Sequence, residues 1–71
     1  MQRYLILVEP TDTGYSAYSP DVSGCVATAP CREEMEQVMS DAIGFHLEGL
    51  RASGQPVPPP HTTASYVEVA A

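Results

Sequence analysis

Hydrophobic and polar positions alternate over the first third of the chain, and a longer period then takes over. RYLILVE, Arg3 to Glu9, is β-rich and apolar and predicts a strand buried on most of both faces. PTDTG follows, with Gly14 placed to take a positive φ and close a hairpin. YSAYS, Tyr15 to Ser19, puts Tyr15 and Ala17 on one face and Ser16 and Tyr18 on the other. PDVSG is turn chemistry: Pro20 presets φ, Asp21 can bond its own backbone two residues on, and Gly24 can re-enter a strand from a left-handed conformation. CVATA is a third short strand, ended by Pro30. From Cys31 the spacing is helical. Met35, Val38, Met39, Ala42, Phe45, His46, Gly49 and Leu50 share one face and form the expected core stripe, flanked by Ile43 and Leu47. Glu33, Glu34 and Glu36 crowd the first turns, where the helix dipole favours negative charge. Ser53-Gly54 supplies the stop, with Pro56 just beyond. PVPPPHTTA is a stiff, extended linker, and SYVEV, Ser65 to Val69, reads as a last strand.

The order βββαβ leaves few topologies. Two tight hairpins make an antiparallel three-strand meander. The helix carries the chain back, so a right-handed crossover sets the fourth strand parallel to the first and beside it. One sheet with one helix packed on one face is a two-layer α+β domain. About 21 helical residues span roughly 31 Å, whereas strands of this length cover roughly 17–23 Å. The overhanging end and the wide apolar stripe point to a second subunit. So does size: a chain of 71 residues forms a single domain with a small core and commonly leans on a partner copy.

Charge narrows the function classes. Three arginines and no lysine face nine carboxylates, for a net charge of −6. Arg3, Arg32 and Arg51 are too few and too scattered to neutralise a phosphate backbone, so direct nucleic-acid binding is not expected. A basic protein is a complementary partner, because opposite charge speeds association; the equal alternative is that the net charge serves only to keep a small domain soluble. Met1-Gln2-Arg3 leads straight into the alternating segment, which does not resemble a signal peptide, and no apolar run reaches the roughly 20 residues of a membrane span. A cytoplasmic location with reduced cysteines is expected.

The polar side chains offer little chemistry. Along an extended strand Cys25 and Cys31 stand about 20 Å apart, too far for a disulfide or a shared ion. His46, mid-stripe, reads as a packing residue, and His61 lies in the linker. Cys25 reads as a small buried hydrophobe. Cys31 stands where Ser or Thr would cap the helix, with Glu34 three residues on as in a capping box. Glu9, Asp21, Asp41 and Glu48 diverge around the expected fold. No cofactor, metal site or catalytic group is expected, and the chain does not read as an enzyme.

Several linked motifs then carry a resemblance. GYSAYSPDVSGC supplies Gly14, Tyr15, Ala17, Pro20, Asp21, Gly24 and Cys25. Glu33 and Glu34 follow, and Ala42, Ile43, Leu47, Glu48, Leu50, Gly54, Pro56 and Pro58 mark the helix and its exit. In this order they resemble the HicB-like antitoxin family over nearly the whole chain. The resemblance implies a partial RNase H-like βββαβ domain that acts without catalysis. It would mask a small basic HicA-type toxin that cleaves mRNA, and it would self-associate as a homodimer or larger oligomer. Glu9 and Asp12 at the first hairpin and Asp21 at the second are the acids expected to meet the toxin. Two places depart from the family pattern: Met35 replaces an alanine, and the stretch Ala29-Pro30-Cys31 degrades the capping box. Many relatives continue into a DNA-binding domain that residues 1–71 do not supply, so autorepression by this chain alone is not expected. An orphan scaffold or regulatory subunit without a toxin is the alternative reading.

Overall fold

Asp12 and Thr13 join β1 (Leu7–Thr11) to β2 (Gly14–Tyr18), and the register runs from Thr11 opposite Gly14 to Leu7 opposite Tyr18. The structure is a computed structural model and describes residues 2–71. Gly14 does not take the positive φ expected of it. Its reason is space: a Cβ there would sit 2.5 Å from the Ala29 carbonyl oxygen and 3.0 Å from the Pro30 Cα. Glycine lets the start of β2 and the end of β3 (Val26–Ala29) approach backbone to backbone. The three strands form an antiparallel sheet in the order β1-β2-β3. Pro10 is tolerated because β1 lies at the edge of that sheet.

Two consecutive turns link β2 to β3. The Val22 amide donates to the Ser19 carbonyl, and the Cys25 amide to the Val22 carbonyl, each at 3.2 Å. Gly24 takes φ 81° at the third position of the second turn, where a side chain would be strained. The Ser19 hydroxyl donates to the Leu5 carbonyl at 2.9 Å and ties the turn to the segment before β1. Val22 is fully buried, so this turn contributes to the core. Opposite it, residues 3–6 make no ladder, although Tyr4 and Ile6 still pack on the core. Strand one is therefore shifted from the expected Arg3–Glu9 to Leu7–Thr11.

Helix α1 (Arg32–Ala52) starts and stops near the expected places by different means. Cys31 takes the extended N-cap conformation but makes no side-chain bond, so the capping box with Glu34 does not form. At the other end the Gln55 amide reaches the Leu50 carbonyl at 2.9 Å, and the Gly54 amide reaches that of Arg51 at 3.1 Å. Gly54 has φ 73°. This is a Schellman closure, which satisfies the last free carbonyls.

The buried face of α1 is the four-residue row Met35, Met39, Ile43 and Leu47, with Ala42, His46 and Leu50 half-buried beside it. Val38 and Phe45, expected in the core, are exposed, Phe45 by 79%. At about 100° per residue, the observed row is centred some 80° from the expected stripe. Ile43 and Leu47 thus become central and Phe45 swings to the outside. The row packs on Ala17, Val22, Cys25 and Ala29.

The helix sits over β2 and β3 rather than over β1. The inner face of β1 is consequently half-uncovered. Among the described residues no fourth strand pairs: residues 65–69 are exposed and join no ladder. A ladder needs an edge alongside it, and the linker delivers the tail elsewhere, as described next.

Candidate functional site

Three acids were expected to face a partner, and the structure separates them. Asp21 has a carboxylate only 1% exposed. The amides of His61 and Thr62 each donate to its Oδ2 at 3.0 Å, and the Thr62 hydroxyl donates to Oδ1 at 2.6 Å. His61 Nδ1 lies 3.0 Å from the same Oδ1, an ion pair when the ring is protonated. Asp21 is thus a latch between the β2–β3 turn and the linker and is withdrawn from the surface. A second tie, Tyr4 Oη donating to the Pro58 carbonyl at 2.6 Å, holds the linker against the segment before β1. Turn propensity accounts for Asp21 being where it is. Its long-range partners, some 40 residues away, had no signal beyond the hydroxyls and amides of HTT directly after the prolines.

The latch should respond to acid. The Thr62 hydroxyl and amide, then the His61 amide and ring, hold the Asp21 carboxyl below its ordinary value of 3.8, against the opposing effect of burial. A carboxyl depressed in the folded state stabilises fully above its unfolded value and loses that contribution as pH falls through the folded one. The carboxylate titration seen at the Thr62 amide should therefore have its midpoint below the ordinary carboxylate range. Asp21→Asn should abolish that titration and loosen residues 57–62. A Thr62 shift that titrates at the ordinary carboxylate value would rule the latch out.

Glu9 and Asp12 are exposed. Glu9 shares the helix-free face of the sheet with Leu7, Tyr18 and Val26, since Leu7, Tyr18 and Val26 form one cross-strand row and Glu9, Ser16 and Thr28 the next. Tyr18 and Val26 are exposed there. A carboxylate beside an apolar row suits a basic protein surface that also carries apolar anchors.

On the other side of the sheet a groove of about 770 Å³ runs between β1 and the helix. Tyr4, Ile6 and Val8 form its floor, Ser40, Ile43 and Gly44 part of its wall, and Arg32 and Arg51 border it. Periodicity could not show this groove, because it exists only through the offset of α1 toward β3.

Both cysteines are free. Cys25 is buried, and burial pushes its thiol pKa up, which makes it unreactive. Among the described residues no three of His, Cys, Asp and Glu come together as metal ligands would. No described helix is long and apolar enough to cross a membrane.

Known proteins place this geometry. The family model described as HicB_like antitoxin of bacterial toxin-antitoxin system matches residues 4–70. The chain belongs to that family. A UPF0150 protein of Synechocystis is 39% identical to this HicB-like chain over 57 residues, covering 79% of this chain and 72% of its own length. An uncharacterised 14.9 kDa protein from the rep-hol intergenic region of Haemophilus phage HP1 is 30% identical over 64 residues, 90% of this chain but 48% of the phage protein. Among solved structures, a chain of the HicA3 and HicB3 toxin-antitoxin complex superposes with a TM-score of 0.73 at 30% identity. That match covers 83% of this chain and 70% of the other. The HicB-like fold is therefore present as three antiparallel strands and one helix.

Proposed function

We propose that residues 1–71 act as one HicB-like antitoxin domain that binds and neutralises a small basic HicA-type toxin without performing chemistry itself. The observation that carries this reading is the family match over residues 4–70, supported by likeness to a chain from a HicA–HicB complex. Net charge −6 supplies the complementary field for a basic partner. The helix-free face of the sheet, with Glu9 beside Tyr18 and Val26 and with Asp12 at the hairpin tip, is the surface offered to the toxin. Asp21 serves that surface indirectly, by holding the turn beneath it.

The same domain self-associates in this reading, and a fourth strand beside β1 completes the partial RNase H-like sheet. An orphan scaffold remains the second reading, favoured by the open groove, which a toxin on the opposite face would leave unfilled.

The test is association kinetics with a purified HicA-type toxin. Glu9→Lys with Asp12→Lys should slow association by about tenfold at low salt and flatten its salt dependence, because steering is electrostatic. Unchanged rates would remove these two acids from the interface. No binding by the parent chain would leave the orphan reading.

A further inference from the structure

We propose that residues 64–70 of one copy add as the fourth strand to β1 of a second copy, filling its groove, and that the exchange is reciprocal. The proposal deepens the self-association put forward above and rests on it, and it names the segment and the surface that meet.

The tail has the pattern of a half-buried strand but no sheet of its own. Val67 and Val69 alternate with Tyr66 and Glu68, yet Val67 is 82% and Val69 76% exposed, and Tyr66 is fully exposed. The linker touches Tyr4 through Pro58 and is then clamped at His61 and Thr62 by Asp21 in the β2–β3 connection. From that latch the last residues run outward. The molecule measures 48 Å along its longest axis with a radius of gyration of 13.9 Å, against about 11 Å for a compact chain of this length.

The groove is shaped for such a segment. β1 is the edge strand, so one row of its backbone groups is unpaired and open to an added strand, with Pro10 supplying only its carbonyl. Below that edge, Ile6, Val8 and Ile43 offer an apolar surface for one face of an added strand. Ser40 and Gly44 leave the wall shallow, and a Cβ at Gly44 would meet nothing within 4 Å. Charge favours the same occupant. Two of the three arginines, Arg32 and Arg51, border the groove and outweigh Glu36 there, while the tail carries Glu68. Because every copy has both tail and groove, a two-fold exchange closes on itself and satisfies both.

Sedimentation and isotope-filtered NMR on the full chain alone test this. The parent should sediment as a dimer. In a mixture of labelled and unlabelled chains, the Val67 and Val69 methyls should show intermolecular contacts to Ile6 and Ile43. Val67→Asp with Val69→Asp should weaken the dimer at least a hundredfold, and Gly44→Tyr should do the same by occupying the groove. Both sets of changes fall on exposed positions, so unchanged circular dichroism confirms that the fold is intact. Mixing the two variants should partly restore dimers, since one tail and one groove remain sound. A monomeric parent, contacts found only within one chain, or a dimer indifferent to the tail changes would each overturn the proposal. None of these outcomes involves a toxin, so the antitoxin reading stands or falls separately.

Discussion

Met39→Ala lowers the denaturation midpoint by the equivalent of about 2–5 kcal/mol, while Phe45→Ala stays within about 0.5 kcal/mol of the parent. The two residues lie on one helix, and periodicity put both in the core. The structure divides them. Met39 is 1% exposed within the row that meets Ala17, Val22, Cys25 and Ala29, and Phe45 stands in solvent. A domain of this size has a total stability of about 4–11 kcal/mol. One emptied methionine site therefore removes a large share of it. Urea denaturation followed by circular dichroism measures both variants, and a similar slope confirms that the transition has kept its character. A large loss at Phe45 with a small one at Met39 would return the buried face to the position periodicity suggested.

Gly14→Ala should destabilise by about 1–3 kcal/mol, the range for overpacking. The added Cβ meets the Ala29 carbonyl oxygen and the Pro30 Cα, both backbone. Backbone atoms cannot swing aside as the end of a long side chain can, so the hairpin end of β2 must part from β3. Alanine ordinarily restricts the unfolded chain and so stabilises, which makes the sign of the change informative. A neutral or stabilising Gly14→Ala, measured by the same denaturation, would mean that the close approach is absent.

Features determined by local chemistry were legible in the sequence. The PDVSG turns, the start of the helix at the change of period and the Ser53-Gly54 stop each depend on a few neighbouring residues, and each is present. Strand alternation in Tyr15 to Tyr18 likewise predicts the buried Ala17 and the exposed Tyr18. The face of α1 was not legible, because apolar residues cover more than half of its circumference. Met35, Val38, Met39, Ala42, Ile43, Phe45, Leu47 and Leu50 permit two stripes, and only the offset of the helix toward β3 selects one. Gly14 was marked as special for the wrong reason, since a close approach leaves the same trace in a sequence as a positive φ. Of the three acids assigned to a partner, Asp21 was misplaced because its donors come from a linker that has no period to read. A single chain also contains no edge beside which SYVEV could pair, so its pattern alone could not determine where it goes.

The Asp21 latch has a further consequence for the tail. Side chains on an extended strand alternate between two faces, so a segment's phase depends on parity as much as on direction. By clamping the backbone at His61 and Thr62, Asp21 sets the count from which the following residues alternate. Val67 and Val69 are an odd number of steps beyond Thr62, and Tyr66 and Glu68 an even number. In the proposed exchange the Asp21 carboxylate thus acts as the zero mark of a ruler, from which the oily and wet faces of the added strand are counted.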